Sequence, residues 1–350
     1  MPAAPAKLRW PAEWEPHEAT WLAWPHNAAD WPEKFDPIPW AFAEVVRHLA
    51  EVERVRILVD ERSHLAAMGT LRRLGLETQG TTIDLVPCPT NRIWTRDYAP
   101  FFVHRGPTSE AVKWRFNAWA KYDDWQLDDE AGRVIAAATD CPLVEPNSGG
   151  APIVLEGGSI DGNGAGTLLT TQECLLSPLE ARHPGLSRTD LEAIFAAHLG
   201  VRKVLWLNRG IVGDDTHGHI DDLARFVDPT TVVMAIEEDL ADANYEATQE
   251  NWDRLQGATT AEGRSLRLVK LPLPRPVVFD GQRLPASYAN FYIANRLVLV
   301  PTFCDPNDRV ALNILADLMP DRTVVGVPCR DLVWGLGTIH CMTMQQPAWG

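Results

Sequence analysis

The stretch HIDDLARFVDPTTVVMAI, residues 219–236, contains the pattern from which the fold class is inferred. Its turn at residues 228–230, Asp-Pro-Thr, separates two apolar runs, and proline pre-sets the backbone angle that such a turn needs. The runs on either side, 219–227 and 231–236, have the composition of extended strands. The stretch therefore predicts a β-hairpin.

A helix and a strand precede this hairpin. Residues 188–199 predict an amphipathic helix, because their apolar side chains share one face and Ser187 or Thr189 can cap the first turn. Residues 201–207, VRKVLWL, predict a strand directly after the helix. Helix, strand and hairpin together form a unit that can be searched for elsewhere.

The same order of elements recurs along the chain. Helices are predicted at residues 38–52, 63–75, 128–138, 243–256 and 308–318, and strands at residues 54–60, 82–87, 267–271 and 322–327. Hairpins are predicted at residues 100–117, 152–171 and 290–301. The chain thus contains about five units of about 60–70 residues each, which indicates an α/β fold; one doubly wound sheet is the conventional alternative.

The last unit, which ends in TIHCMTM at residues 338–344, lacks the second strand of its hairpin. Residues 20–25, TWLAWP, can supply that strand and close the units into a ring. No linker or low-complexity segment divides the chain, so we expect a single domain over residues 1–350.

Composition narrows the class of protein. A formal net charge of −15 over 350 residues disfavours binding to nucleic acid or anionic membranes and favours cationic ligands. No apolar run approaches the roughly 20 residues that span a membrane, and the N-terminus lacks a signal-peptide pattern, so we expect a cytoplasmic protein. The six cysteines form no C-x-x-C pair, which argues against a zinc site or a disulfide scaffold.

Chemically active side chains stand at the start of four predicted hairpins. They are Asp97, Glu156, His219 with Asp221, and Cys341, which a histidine precedes. In a ring of similar units, equivalent positions converge on one axis. His219 and Asp221 are two residues apart and would face the same side of a strand. Each residue also has a plain structural reading: an ion pair with the adjacent arginine for Asp97, a backbone contact for Glu156, and an ordinary buried thiol for Cys341.

A thiol, a histidine and carboxylates together suggest attack on a cationic carbon. A cysteine nucleophile must become a thiolate, and histidine is its usual proton partner. Nearby carboxylates oppose that ionisation unless a cation lies between them and the sulfur. A guanidinium satisfies this requirement, because it is planar and pairs with carboxylates through a fork of N–H donors.

These residues lie in stretches that resemble the agmatine deiminases of bacteria and plants, which are related to a bacterial peptidyl-arginine deiminase. The matching stretches are RWPAEWEPHEATWLAWPHN (9–27), NRIWTRDYAPFFV (91–103), FNAWAKYDDW (116–125), LEGGSIDGNGAGTLLTTQECLL (155–176), GDDTHGHIDDLARFV (213–227), YANFYIANRLVLVPTF (288–303) and GTIHCMTMQQP (337–347). The sequence departs from the usual family pattern at residues 335–338 and 342–345, on either side of the Ile-His-Cys segment.

The resemblance implies a five-bladed, pseudo-symmetric α/β propeller with a central active-site channel. It implies hydrolysis of agmatine to N-carbamoylputrescine and ammonia with no metal or organic cofactor. By resemblance, Cys341 is the nucleophile, His219 the general acid and base, and Asp97 and Asp221 hold the guanidinium. Further residues expected to contact the substrate are Glu156, Trp94, Trp119 and Asp215.

Other functions remain open from the sequence. The substrate is either agmatine or another guanidine, such as free or peptidyl arginine. A metal hydrolase would use Asp215, His217, His219 and Asp221 as ligands. A polyamine-binding protein would keep the acids and tryptophans without turnover. We also expect a homodimer, the usual state of soluble enzymes.

Overall fold

The strands that the structure describes divide among five main sheets. The structure, a computed structural model, describes residues 8–78 and 82–349. Sheet I contains Leu8–Arg9, Phe101–Arg105, Thr108–Val112 and Leu143–Val144. Sheet II contains Ile160–Gly162, Thr167–Thr171 and Lys203–Leu207, and sheet III contains Ala224–Phe226, Thr231–Ile236 and Arg267–Pro272. Sheet IV contains Tyr292–Ala294, Leu297–Thr302 and Thr323–Pro328, and sheet V contains Met344–Pro347, His17–Ala23, Arg54–Val59 and Ile83–Pro87.

Six helices each connect two parallel strands of one sheet. They are Ile38–Ala50, His64–Arg73, Gln126–Ala137, Arg188–Leu199, Tyr245–Leu255 and Asn307–Leu318. Two shorter helices are Thr95–Tyr98 and Gln172–Leu176, and two minor sheets pair Asn147–Ser148 with Ala151–Pro152 and Val278–Phe279 with Gln282–Arg283. A parallel pair requires such a crossover, whereas an antiparallel pair needs only a turn.

Each main sheet contains an antiparallel pair followed by a parallel partner. In sheet III, Ala224–Phe226 pairs antiparallel with Thr231–Ile236, which pairs parallel with Arg267–Pro272. The α/β class predicted from the sequence is confirmed. The alternative of one doubly wound sheet is wrong, because the described strands form several small sheets.

The predicted pairing of the two ends of the chain is confirmed. Met344–Pro347 pairs antiparallel with His17–Ala23, with Thr20 opposite Gln345 and Trp21 opposite Met344. The strand His17–Ala23 then pairs parallel with Arg54–Val59. Sheet V therefore joins the strand Met344–Pro347, near the end of the chain, to strands from its first 60 residues.

Two predicted hairpin strands lie elsewhere. Residues 152–158 do not form the first strand of sheet II; the strand is Ile160–Gly162, and Val154 makes an isolated bridge to Arg115 near sheet I. The hairpin of sheet III begins only at Ala224. In both places, a short 3-10 turn occupies the sequence that was predicted as strand.

The middle strands of the sheets are buried on both faces. All six side chains of Thr231–Ile236 are buried, as are the first five of Leu297–Thr302. Such continuous apolar strands are typical of sheets covered on both sides. Among the described residues, no helix combines the length and apolar character needed to cross a membrane.

Candidate active site

Five short segments, here called the entry turns, precede the hairpin of each main sheet. They are Thr95–Tyr98 for sheet I, Gly157–Ser159 for sheet II, Ile220–Asp222 for sheet III, residues 287–291 for sheet IV and residues 338–343 for sheet V. The sequence-predicted acids, histidine and thiol lie in or beside these turns. They thus lie at the start of four of the five hairpins.

The spacing of His219 and Asp221 predicted that both lie on a strand, but neither does. His219 is the residue before the 3-10 turn Ile220–Asp222, which contains Asp221. In this turn, the two side chains reach the same region without the alternation of a strand. The correction changes the backbone conformation but leaves both side chains at the site.

Gly158 marks the point where three of these side chains meet. A Cβ atom at Gly158 would lie 2.5 Å from His219 Nδ1, 3.0 Å from Asp97 Oδ1 and 3.1 Å from Asp221 Oδ2. Any side chain at this position would displace the site residues, so the close approach of the backbone requires glycine. Cys341 Sγ lies 3.7 Å from Asp221 Oδ2, which adds the thiol to the same cluster.

The Cys341 thiol is buried, with 7% of the residue exposed. Its closest polar partner is Asn290, whose Nδ2 donates to Sγ at 3.1 Å. Burial, together with three nearby aspartates, raises the pKa of the Cys341 thiol well above its usual value. Without a cation in the site, this thiol is therefore held in its neutral form.

Asn290 was missed at the sequence level. It lies in the entry turn of sheet IV, the position at which the other sheets carry Asp97, Asp221 and Cys341. Its Oδ1 accepts from the Thr338 hydroxyl at 2.7 Å, which fixes the amide beside the thiol. The repeat contained the signal: the fourth hairpin has a polar residue at the equivalent position.

Asp97 is bound by two neutral donors. Trp119 Nε1 donates to Oδ2 at 2.9 Å, and the Gly158 N–H donates to Oδ1 at 2.9 Å. Burial, with contributions from Asp221 and Glu156, raises the pKa of Asp97 to about 6, although His219 opposes the shift. The carboxylate is mostly ionised at neutral pH and becomes protonated in mild acid.

Asp221 has the opposite electrostatic character. Its Oδ2 contacts His340 Nδ1 at 2.7 Å, whereas its buried Oδ1 has no hydrogen-bond partner among the described residues. Burial alone would raise the pKa of Asp221, but the hydrogen bond and charge of His340 outweigh it and lower the pKa. Asp221 is therefore an ionised acceptor with one oxygen unused.

His219 is buried between acidic and sulfur-containing neighbours. Its Nδ1 lies 3.9 Å from Asp97 Oδ1, and its Nε2 makes no hydrogen bond with the described residues. Burial disfavours the charged ring, but Asp97 and Cys174 outweigh it and hold the pKa of His219 well above its usual value. This ring is therefore placed to donate a proton.

Glu156 is tied to an arginine rather than to the glycine backbone. Arg182 Nε donates to Glu156 Oε1 at 3.0 Å, and both side chains are fully buried. The other oxygen, Oε2, has no hydrogen-bond partner among the described residues. Arg182 follows the helix Gln172–Leu176, a segment in which the sequence showed no candidate.

A cavity of about 370 Å³ opens onto the thiol. Its walls include Cys341, Asp97, Trp94 and Trp119, and this volume is typical of small-molecule sites, which run from about 300 Å³ upward. Asp215 also lies in the wall, where its Oδ2 accepts from the Tyr122 hydroxyl at 2.7 Å. The predicted tryptophans and Asp215 are thus brought to one cavity.

Trp119 is held over Asp97 by an unusual backbone. Ala118, Trp119 and Ala120 have φ values of 50°, 59° and 57°, in the left-handed region that non-glycine residues rarely adopt. The Asn117 side chain accepts from the Ala120 N–H at 2.9 Å and stabilises the turn. Such conformations cost on the order of 1–3 kcal/mol each and cluster at functional sites.

The ligand set suggested for a metal hydrolase is not brought together. Among the described residues, the one group of three or more potential ligands is Glu156, Cys174 and His219, whose ligand atoms lie within 4.8 Å of one another. His217 instead contacts Ser177 at 3.3 Å and Asp215 contacts Tyr122. The four ligands proposed for a metal hydrolase therefore do not form one site.

Comparison with solved structures first defines the class of protein. DDAH from Pseudomonas aeruginosa, in complex with citrulline, aligns with a TM-score of 0.52 at 13% identity and covers 95% of this chain and 100% of its own. At this identity the likeness shows the fold alone, which is the α/β pentein fold.

The family follows from closer matches. Residues 9–347 match the Porphyromonas-type peptidyl-arginine deiminases, and the chain belongs to this family. The agmatine deiminase of Stutzerimonas stutzeri is 38% identical over 97% of this chain and 95% of its own length. A solved structure of the Enterococcus faecalis agmatine deiminase aligns with a TM-score of 0.90 at 32% identity, covering 99% of this chain and 98% of its own.

Proposed function

We propose that this protein hydrolyses agmatine to N-carbamoylputrescine and ammonia through an amidino-cysteine intermediate on Cys341. The observation that carries the proposal is the meeting of His219, Asp97 and Asp221 around Gly158, with Cys341 against Asp221 and with Cys341 and Asp97 in the wall of a cavity. The family and its relatives named agmatine deiminases support the same reaction.

The two aspartates hold the guanidinium. Asp221 offers an ionised, buried Oδ1 that accepts no bond from the described residues, and Asp97 is mostly ionised at neutral pH. A guanidinium can donate to both carboxylates in its own plane. Its positive charge offsets the aspartates that raise the pKa of the thiol, so substrate binding itself favours the thiolate.

The first half-reaction displaces ammonia. The Cys341 thiol passes its proton to water as substrate binds, and the thiolate forms a bond to the guanidinium carbon. His219, whose pKa is raised, donates a proton to one amino group of the tetrahedral adduct, and ammonia leaves. The product is an amidino group bound to sulfur, and His219 is left neutral.

The second half-reaction restores the thiol. Neutral His219 takes a proton from water while the oxygen attacks the amidino carbon. The carbon–sulfur bond then breaks, the proton of the new hydroxyl passes to the Cys341 sulfur, and the ureido product leaves. Asp97 and Asp221 keep the carbon aligned with sulfur through both steps, which converts attack into an intramolecular event.

Acids in the outer wall of the cavity favour agmatine over arginine. Asp30, Asp124 and Asp215 line the cavity, and its arginine, Arg92, is already paired with Asp124 at 2.8 Å. Agmatine carries an ammonium group and no carboxylate, so its distal end suits this wall. A free or peptidyl arginine would bring either a carboxylate or a bulky chain.

We further propose that the five main sheets are the blades of a five-bladed α/β propeller, with the entry turns around its central channel. The shared order of strands in each sheet and the meeting of side chains from different entry turns support this arrangement. We propose one catalytic domain over residues 1–350. The cytoplasmic location and the homodimer stay predictions.

A substrate panel with intact-protein mass spectrometry tests the function. Agmatine, arginine and an arginyl peptide are given to the wild type, Cys341→Ser and the control Cys304→Ser, whose thiol is exposed. We expect ammonia release from agmatine, an amidino adduct on the wild type, and a loss of kcat on the order of 10³-fold or more in Cys341→Ser. Wild-type turnover in Cys341→Ser would disprove the mechanism, and no turnover of any guanidine would favour a polyamine-binding protein.

A further inference from the structure

His340 lies between two carboxylates in the core. Its Nδ1 contacts Asp221 Oδ2 at 2.7 Å, its Nε2 contacts Glu13 Oε2 at 2.8 Å, and 2% of the residue is exposed. An ionised carboxylate can only accept hydrogen bonds, so both ring nitrogens donate when both acids are ionised. The geometry thus describes an imidazolium between two carboxylates.

Glu13 is itself firmly held. Arg225 Nη2 donates to Oε1 at 2.8 Å, Arg96 Nη2 donates to Oε2 at 3.2 Å, and the Ile293 N–H donates to Oε1 at 2.8 Å. Burial opposes ionisation, but Arg225, His340 and Arg96 hold the pKa of Glu13 well below its usual value. The outer carboxylate is therefore ionised, as the imidazolium requires.

The wider network balances its charges. Arg225 also pairs with Asp161 at 2.8 Å. Three carboxylates, on Glu13, Asp161 and Asp221, face three cations, on Arg96, Arg225 and His340. Buried charges persist only when they are paired and hydrogen-bonded in this way. The inner end of this network is Asp221.

We propose that His340 is a positioning residue that acts through Asp221: as an imidazolium anchored by Glu13, it occupies Oδ2, keeps the carboxylate ionised and leaves Oδ1 for the guanidinium. The inference rests on the proposed function, because it assigns the free oxygen to that substrate. It adds a requirement, namely that binding depends on Glu13, more than 200 residues away in sequence from Asp221.

Several other ionisable groups surround Glu13, His340 and Asp221. They are Arg96, Asp97, Asp161, His219, Asp222, Arg225, Tyr292 and Cys341. Asp222 is buried and its pKa is raised well above its usual value by burial and by Asp221, which disfavours a second negative charge beside Asp221. Removing the imidazolium therefore leaves Asp221 with fewer cations, and its protonation should then occur at higher pH.

His340→Gln tests the proposal, and His17→Gln is the matched control. His17 is also a buried histidine with a contact at each ring nitrogen. Its Nε2 contacts the backbone carbonyl of Glu13 at 2.7 Å, and its Nδ1 contacts the Glu53 carboxylate at 3.3 Å. It does not contact Asp97, Asp221 or Cys341 among its described hydrogen bonds. Both substitutions remove a buried ring, but only one acts on the site.

We expect kcat/KM for agmatine to fall about 10- to 100-fold in His340→Gln, mostly through KM. The acidic limb, which Asp97 sets near pH 6 in the wild type, should move to higher pH, because Asp221 without the imidazolium then protonates in or above the same range. His17→Gln should lose thermal stability but keep the wild-type limb. If folded His340→Gln kept the acidic limb of the wild type and lost only as much kcat/KM as His17→Gln, the proposal would be wrong. The contacts of His340 would then serve stability alone.

Nuclear magnetic resonance of ¹⁵N-histidine-labelled wild type gives a readout that needs no turnover. We expect the His340 ring, assigned by loss of its signals in His340→Gln or His340→Asn, to show two protonated nitrogens at pH 7, since each nitrogen contacts a carboxylate. A singly protonated ring at pH 7 would refute the imidazolium. If the wild type failed to deiminate agmatine, the proposed function would fail while this spectrum still decided the state of His340.

Discussion

Asp97 and Asp221 occupy equivalent entry turns, and both are buried, yet their surroundings differ. Asp97 accepts from two neutral donors, Trp119 Nε1 and the Gly158 N–H, and burial raises its pKa to about 6. Asp221 contacts His340, whose hydrogen bond and charge outweigh burial and lower its pKa. The same residue type at the same place in the repeat thus has two electrostatic states.

The difference in pKa comes from the neighbouring groups and indicates that the two aspartates have different roles. In the proposed function, Asp221, whose pKa is lowered, would provide the charge that attracts the guanidinium. Asp97 shares the site with that charge, and two adjacent acids do not both ionise freely until a cation arrives. Substrate binding should therefore complete the ionisation of Asp97, and pH should act on binding mainly through this residue.

Asp221→Asn should have the largest effect of any change to the two acids. It removes the ionised acceptor and leaves the His340 cation without one of its carboxylates. Truncating one member of a buried charge pair costs about 2–5 kcal/mol, so kcat/KM should fall on the order of 10³-fold. Steady-state ammonia release measures this, with circular dichroism to confirm folding.

Asp222→Asn is the control for this change. It alters the neighbouring aspartate, which accepts from Asn290 Nδ2 at 3.0 Å and whose pKa is raised well above its usual value by burial and by Asp221. We expect a loss at least tenfold smaller than in Asp221→Asn. Equal losses in the two variants would show that the entry turn, rather than the charge on Asp221, determines activity.

The repeat and the pairing of the strands near the two ends of the chain could be predicted from the sequence, because both depend on local patterns. The helix predicted at residues 188–199 is Arg188–Leu199, with Ser187 as its cap, and the strand TVVMAI is Thr231–Ile236. Apolar periodicity and turn residues determine such elements within a few positions. The equivalent positions of Asp97, Asp221 and Cys341 followed from the order of elements alone.

Contacts between distant side chains could not be predicted in the same way. The entry turns are three to six residues long, too short to produce a period, so residues 219–221 were predicted as strand. The pairing of His340 with Asp221 depends on the packing of different sheets, and that of Arg182 with Glu156 depends on the path of a loop within the unit of sheet II. The left-handed backbone at Trp119 has no local signature such as glycine.

Asp97→Asn should have a smaller and pH-dependent effect. The asparagine side chain can still accept from Trp119 Nε1, so the loss is that of one charge-assisted contact, about 1.5–3 kcal/mol or roughly 10- to 100-fold in kcat/KM. Below pH 6, wild-type Asp97 becomes protonated as well, because its pKa is about 6. The ratio of wild type to variant should therefore shrink as pH falls from 7 to 5.

The ratio for Asp221→Asn serves as the reference in the same measurement. Since the pKa of Asp221 is lowered, its carboxylate stays ionised across that range. Wild type and Asp221→Asn both lose the charge on Asp97 as pH falls, so the ratio of their kcat/KM values should shrink less than the ratio of wild type to Asp97→Asn. Parallel curves for the two variants would contradict the assignment of different electrostatic states.

Trp119→Phe should have the smallest effect and sharpens the account of Asp97. It keeps an aromatic wall in the cavity but removes the Nε1–H that donates to Asp97 Oδ2 at 2.9 Å. Losing one donor to the ionised form raises the pKa of Asp97 further, so the acidic limb of kcat/KM should move to higher pH. A net contribution of about 1 kcal/mol predicts a loss of roughly fivefold at pH 7.

Trp114→Phe separates that hydrogen bond from the general cost of shrinking a buried indole. Trp114 is also buried, at 3% exposure, but its Nε1 has no hydrogen-bond partner among the described residues. Its replacement should change stability and leave the acidic limb in place. If both variants moved the acidic limb of kcat/KM equally, core packing would determine the pKa of Asp97. If neither variant moved it, the two neutral donors would not explain why the pKa of Asp97 differs from that of Asp221.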